Sequence, residues 1–86
     1  MNRAAIISVI LEKPQETQKT FNNIVSEYHE ILRGRMGIPF KNGSIALIPL
    51  IVEADLDTIN TFIGRIGKLE GVIVTFSIAS ENMEME

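Results

Sequence analysis

Two glycine-spaced basic segments carry the most unusual residue chemistry in this 86-residue chain. The first has the sequence Gly-Arg-Met-Gly-Ile-Pro over residues 34–39, and the second has Gly-Arg-Ile-Gly-Lys-Leu over residues 64–69. A glycine inside a helix or strand costs roughly 0.5–1 kcal/mol relative to alanine. Close backbone packing or a bound ligand must offset that cost, and the neighbouring basic side chains are suited to bind an anion.

We predict from these segments a contact surface for a small anionic ligand or for a neighbouring subunit. Its residues are Arg33, Arg35, Gly37, Gly64, Arg65, Gly67 and Lys68. The hairpin at 39–43 and the loop at 12–15 are expected at the same edge of the domain. A structural alternative stays open, in which the glycines let the second helix pack closely or end, and the arginines are solvated or paired with glutamates.

The other polar residues offer little for catalysis or metal binding. The chain has no cysteine and one histidine, His29, which suits a helix C-terminus where positive charge is favourable, whereas a zinc site needs several ligands. Asp55 and Asp57 fit the start of a helix, as N-cap and as complement to the helix dipole. The glycines at 34–37 follow a predicted strand and open no helix, so they are not a phosphate-binding loop. We therefore predict a protein that is not an enzyme and has no cofactor and no metal.

Composition and charge narrow the class of protein further. The chain is 45% hydrophobic and 22% charged, which is typical of a globular domain. Its net charge of −3 comes from three glutamates after residue 80, so the remainder is neutral. Nucleic-acid-binding domains normally carry a basic excess, and we expect no direct nucleic-acid binding. The apolar run at 4–11 is too short to span a membrane, and we expect a cytoplasmic protein with no membrane contact.

The hydrophobic pattern predicts six elements in the order β-α-β-β-α-β. Apolar and alternating runs at 4–11, 31–38, 44–53 and 72–78 are typical of strands. Apolar residues at helical spacing predict one helix over 14–29 and a second between Asp55 and Ile66.

Two prolines and one dipeptide refine these boundaries. Pro14 suits the first turn of a helix, and Asn42-Gly43 is a turn signal between two strands. Pro49 inside the third strand predicts a bulge there, or a backbone nitrogen that faces away from the partner strand.

This order of elements predicts an α+β, ferredoxin-like fold, with a four-stranded antiparallel sheet and both helices on one face. The domain is expected over residues 3–79, followed by a flexible acidic tail at 80–86. Strands 1, 3 and 4 carry apolar residues on both faces, which is typical of strands that are buried on both faces. Because the helices cover only one face, we expect a homo-oligomer, a dimer or tetramer, that forms through the sheet.

The same segments give the sequence a resemblance to a known family. The run Arg-Ala-Ala-Ile-Ile-Ser-Val-Ile-Leu-Glu at 3–12, the segment 34–39, and the segment 64–69 with Gly71-Val72 resemble the iron-only hydrogenase system regulators, small ACT-like proteins of anaerobic bacteria. The resemblance covers about residues 3–78, and the segment 34–39 is its most specific part. It implies an ACT-type domain, related also to the C-terminal domain of the nickel-responsive regulator. Such domains commonly form dimers or tetramers through their sheets and sense small ligands.

Two departures limit what the resemblance implies. The nickel-responsive regulators use several histidines and a cysteine, which this chain lacks, so nickel sensing does not carry over. Amino-acid-binding ACT domains typically have glycine in the loop after the first strand, where this chain has Glu12-Lys13-Pro14-Gln15. That difference argues against amino-acid sensing.

We expect from these observations a non-enzymatic, oligomeric regulatory module of an iron-only hydrogenase system that senses a small ligand. The alternative is a structural or assembly protein that has no ligand and supports hydrogenase maturation.

The single histidine generates a first testable prediction. His29→Ala and treatment with EDTA should each leave folding and self-association unchanged, because no set of metal ligands is expected. Thermal unfolding and sedimentation velocity would check this. Stoichiometric nickel, iron or zinc in the purified protein, lost in the His29→Ala variant, would contradict it.

Overall fold

Two helices interrupt a series of strands in the computed structural model, which describes residues 1–40 and 43–80. The elements are β1 (Arg3–Glu12), α1 (Pro14–Glu27), a 3₁₀ turn (His29–Ile31), β2 (Leu32–Arg35), β3 (Ile38–Pro39), β4 (Ile45–Ala54), α2 (Leu56–Gly67) and β5 (Val72–Ile78). Residues 41–42 and 81–86 lie outside the described residues. These ranges include Asn42 of the predicted turn and most of the predicted tail. None of the helices in the described part of the chain is long and apolar enough to cross a membrane.

All strand pairs are antiparallel, and the sheet order is β2-β4-β1-β5, with β3 also paired to β4. The short strands β2 and β3 pair with successive parts of β4 and together form one interrupted edge strand. Counted in this way, the sheet has four strands and two helices on one face. The predicted ferredoxin-like fold is therefore confirmed.

The predicted continuous strand over 31–38 is wrong, because the edge strand is broken at Met36 and Gly37. Pro49 of β4 lies opposite this break, and its carbonyl oxygen accepts a hydrogen bond from the Met36 amide at 3.2 Å. In an antiparallel ladder the N–H and C=O groups of one residue point to the same side. The backbone nitrogen of Pro49, which carries no hydrogen, therefore faces the edge strand. A register shift between Leu32 and Gly34 in β2 adds a bulge on the same edge.

Alternate residues of the two central strands form the core with both helices. Strands β1 and β4 direct every second side chain toward the helices, as strand geometry requires. The most deeply buried side chains of the core are Ile7, Val9, Leu11, Phe21, Leu50, Val52, Ile59, Phe62 and Ile66. The helices supply four of these side chains, Phe21 from α1 and Ile59, Phe62 and Ile66 from α2, which matches the apolar stripes of the sequence.

Both helices begin where the sequence indicates. Pro14 opens α1, and the carboxylate of Asp55 caps α2 by accepting hydrogen bonds from the Thr58 hydroxyl and from the Thr58 amide, the latter at 3.2 Å. These bonds lower the pKa of Asp55, the hydroxyl bond most strongly. Helix α1 ends at Glu27 instead of residue 29 because the chain tightens into the 3₁₀ turn. His29 lies at this C-terminus, with its Nδ1 atom 3.0 Å from the Ser26 carbonyl oxygen.

Aromatic and ionic contacts join the helices to each other. The rings of Tyr28 and Phe62 have centroids 4.7 Å apart. Arg65 of α2 donates to both carboxylate oxygens of Glu27, at 2.7 and 3.3 Å, and its guanidinium lies 5.6 Å from the Tyr28 ring centroid. The hydrogen bond from Arg65 lowers the pKa of Glu27 and in turn raises that of Arg65.

The turn before β5 depends on a glycine. Gly71 has φ of 79°, a conformation that side chains with a Cβ atom rarely adopt. A Cβ atom there would lie 2.8 Å from Cγ2 of Thr17 and 3.3 Å from the Glu12 carbonyl oxygen. Gly67 differs on both counts, because it ends α2 without a positive φ, and an added Cβ atom would have no described atom from outside its own helical turn within 4 Å.

We predict opposite effects of alanine at these two glycines. Gly71→Ala should lower the free energy of unfolding by about 1–3 kcal/mol, because it combines a strained φ with a steric overlap. Gly67→Ala should raise it by about 0.4–1 kcal/mol, because alanine reduces the entropy of the unfolded chain. Urea denaturation of both variants at one protein concentration would measure the difference. Equal effects of the two substitutions would contradict the positive φ at Gly71.

Candidate functional site

The three predicted contact arginines lie in three separate places. Arg33 of β2 lies on the sheet face opposite the helices, where its Nε atom donates to Oε1 of Glu53 at 3.1 Å. Arg65 lies between the helices and pairs with Glu27. Both side chains fit the structural alternative of arginines paired with glutamates.

Arg35 has a different environment, against the middle of α1. Its Nη2 atom donates to Oδ1 of Asn22 at 2.6 Å, and its guanidinium carbon lies 5.7 Å from the Phe21 ring centroid, in range for a cation–π contact. Arg35 has no carboxylate partner among residues 1–40 and 43–80. Its charge is therefore held in place by neutral groups.

The remaining predicted contact residues do not form one cluster. Gly37 lies in the break of the edge strand, close to Arg35. Gly64 and Gly67 belong to α2 and face open space, and Lys68 is the exposed residue that follows this helix. Of the seven, only Arg35 and Gly37 line the same cleft within the part of the chain that the structure describes.

That cleft, here termed the apolar cleft, lies between the start of α1 and the edge formed by β3 and β4, and its volume is about 400 Å³. The Lys13 amide donates to the Ser44 carbonyl oxygen at 3.1 Å and ties the two walls together. The lining is mainly aliphatic, and Arg35 is the one charged residue among the lining residues that the structure describes. The lining residues are Leu11, Pro14, Gln15, Gln18, Arg35, Gly37, Ile38, Gly43, Ile45, Ala46 and Ile48.

A second cleft, here termed the acidic cleft, lies on the other side of the turn between β1 and α1. It has a volume of about 480 Å³, and its lining includes three glutamates and one lysine. Its residues are Glu12, Lys13, Glu16, Thr17, Thr20, Leu69, Glu70 and Gly71. No group of three His, Cys, Asp or Glu side chains among the described residues is placed to hold a metal ion.

The sequence analysis did not predict the acidic cleft, which depends on the backbone of two loops. Lys13 has φ of 51°, which is unusual for a residue with a side chain and costs about 1–2 kcal/mol. Its carbonyl oxygen accepts the Glu16 and Thr17 amides at 2.9 and 3.2 Å, and these bonds help to hold the turn. The Glu12 amide donates to the Gly71 carbonyl oxygen at 2.7 Å, which brings the two loops together. Two signals in the sequence indicate these loops: the proline immediately after Lys13 and the isolated glycine before β5.

The sheet face opposite the helices, here termed the open face, is apolar and exposed. Four isoleucines, one on each of β1, β3, β4 and β5, keep 39–53% of their surface in contact with solvent: Ile6, Ile38, Ile51 and Ile73. Ile6 pairs with Ile51, and Ile10 pairs with Ile73, so the apolar surface continues across the strands. The Arg33–Glu53 ion pair lies beside it. No protein side chain from the described helices covers this face.

Comparison with known proteins agrees with this architecture. Among solved structures, the protein TM1266 from Thermotoga maritima superposes with a TM-score of 0.87 at 25% identity, covering 93% of this chain and 100% of that one. The C-terminal domain of the MgtC protein from Mycobacterium tuberculosis gives 0.66 at 13% identity, covering 95% and 93%. The ACT domain of GTP pyrophosphokinase from Chlorobium tepidum gives 0.62 at 17% identity, covering 93% and 89%. The last two likenesses show the fold alone.

The family assignment rests on the sequence match. No curated protein matches the chain. The family model described as "TM1266-like: Iron-only hydrogenase system regulator, putative" matches residues 3–75, which is nearly the whole fold. The resemblance drawn from the glycine-arginine segments is therefore confirmed, and the chain belongs to the TM1266-like family.

Proposed function

We propose that this protein is a non-enzymatic regulatory module of an iron-only hydrogenase system and that it acts as a homo-oligomer assembled through the open face. Family membership supports the first part of the proposal, because the family description names a regulator of that system. The observation that carries the second part is the exposed row of isoleucines across the sheet.

The open face has the composition of an interface. Complete burial of one isoleucine side chain is worth about 1.5–3 kcal/mol relative to leaving it in water. Ile6, Ile51 and Ile73 lie on adjacent strands and are half exposed, so one partner surface can cover them together. In a twofold dimer the same patch contributes from both subunits, which doubles the apolar area removed from water.

The polar groups beside this patch fit the same proposal. Arg33 and Glu53 form an ion pair that remains partly exposed, as polar residues at an interface rim commonly do. Thr75 and Ser77 of β5 pair with Ser8 and Ile6 and give one side of the face a hydroxyl-bearing border. A dimer that covers the isoleucines can leave this border in contact with water.

We predict that a charge on the open face will disperse the oligomer. Ile6→Lys should convert an oligomeric wild-type protein into a monomer, because an unpaired charge buried in an interface costs several kcal/mol. Phe76→Lys is the matched control, since Phe76 is 51% exposed where Ile6 is 53% exposed but lies on the helix side of the sheet. Sedimentation velocity at low micromolar concentration measures the outcome. A compact, stable wild-type monomer at that concentration would refute assembly through this face.

The regulatory role is tested in the host organism. Deletion of the gene should change the amount of hydrogenase transcript or protein, and wild-type protein should restore it while the Ile6→Lys variant should not. A different result, with normal hydrogenase abundance and reduced specific activity, would favour the alternative role in maturation. Unchanged hydrogenase abundance and unchanged specific activity would contradict both roles.

A further inference from the structure

We propose that the apolar cleft binds a small aliphatic monocarboxylate, such as the anion of a short- or medium-chain fatty acid, and that Arg35 binds its carboxylate group. This inference rests on the proposed regulatory function, because it names the chemical class of ligand to which the module responds. The cleft, the guanidinium and the distribution of charge around the turn between β1 and α1 each support it.

The size and lining of the cleft select an aliphatic ligand. Its volume of about 400 Å³ falls in the range of roughly 300–1,000 Å³ that is usual for small-molecule sites. Leu11, Ile45 and Ile48 supply branched aliphatic walls, and no aromatic side chain is among the lining residues that the structure describes. A saturated hydrocarbon chain is the ligand part that such walls bind by simple removal of apolar surface from water.

Arg35 selects the polar end of the ligand. The hydrogen bond to Asn22 and the contact with the Phe21 ring hold the guanidinium in one position. Asn22 accepts a hydrogen bond from one of its N–H groups, and no other side chain among residues 1–40 and 43–80 accepts one from Arg35. The remaining N–H groups are thus available in the fork arrangement that matches a carboxylate.

The charges that line the two clefts favour an anion in the apolar cleft and not in the acidic cleft. The acidic cleft contains three glutamates and repels an anion, whereas Arg35 is the only charged residue that lines the apolar cleft within ranges 1–40 and 43–80. Gln15 and Gln18 add neutral amide groups to the lining. One positive charge beside an aliphatic wall is complementary to one carboxylate on a hydrocarbon chain.

The experiment is a titration of the full chain with octanoate, followed by two-dimensional ¹⁵N NMR. Saturable shifts should appear at the amides of Leu11, Gly37 and Ile48. The Arg35→Gln variant should bind octanoate about tenfold more weakly, because it loses hydrogen bonds to a charged group. Arg65→Gln, which removes an arginine already paired with Glu27, is the matched control and should bind normally. Octylammonium, which has the opposite charge on the same chain, should not compete with octanoate.

A second variant tests the same charge without removing Arg35. Gln18→Glu places a carboxylate among the lining residues on the exposed surface of α1, where glutamate is compatible with a helix. It should weaken octanoate binding to a similar extent and admit octylammonium. If Arg35→Gln fails to fold, Gln18→Glu tests the proposed carboxylate site in its place.

Three outcomes overturn the proposal. These are the absence of saturable shifts, shifts confined to the open face at Ile6 and Ile51, and binding that is equal in Arg35→Gln, Gln18→Glu and wild-type protein. Sedimentation velocity on the same samples separates the two proposals. An intact oligomer that does not bind octanoate refutes only the proposed ligand site in the apolar cleft. A wild-type monomer that binds octanoate refutes the proposed oligomer and supports the ligand site.

Discussion

β1 pairs with β4 along the full length of both strands, from Arg3 opposite Ala54 to Glu12 opposite Ile45. This antiparallel register decides which side of the sheet each residue faces, because side chains alternate along a strand and a shift of one residue would exchange the faces. It places Ile7 and Leu50 together under the helices and Ile6 and Ile51 together on the open face. The core and the proposed interface are thus two consequences of one strand pairing.

A proline in the second of these strands shapes the edge of the sheet. Pro49 lacks the N–H group that the edge strand would need as a donor, and the edge strand is interrupted opposite it, at Met36 and Gly37. Arg35 is the last residue before the interruption, and Gly37 lies within it. The apolar cleft opens at this point, so the placement of Arg35 beside the cleft follows from a backbone constraint in the neighbouring strand.

Arg33, Arg35 and Arg65 differ in the groups that their guanidinium groups contact. Arg33 and Arg65 each bind a glutamate across the fold, and these pairs join β2 to β4 and α2 to α1. Exposed pairs of this kind contribute little to stability, since surface ion pairs are typically worth about 0–1 kcal/mol. Arg35 is held instead by an amide oxygen and a ring face, which position the guanidinium without neutralising it. Its charge is therefore the one among the three that is available to a ligand.

Local signals in the sequence are enough to predict the order of elements, the start of both helices and the two apolar faces of the sheet. These features depend on local periodicity and on single residues such as Pro14 and Asp55, and both signals are present within a few positions of the chain. The family resemblance was also visible in the sequence, in the segment at 34–39. The continuous strand predicted over 31–38 failed because the cause of its interruption, Pro49, is more than ten residues away in the sequence and acts only through pairing.

The separation of the basic residues into different places depends on the tertiary structure. Sequence spacing placed Arg33, Arg35 and Arg65 in one predicted surface, but Arg33 and Arg35 lie on opposite faces of the sheet, and Arg65 turns toward Glu27. The acidic cleft likewise exists only where two distant loops meet, at the hydrogen bond between Glu12 and Gly71. Side-chain partners that are 20 to 38 residues apart along the chain are selected by folding, because the periodicity of one element contains no information about the residues that another element brings beside it.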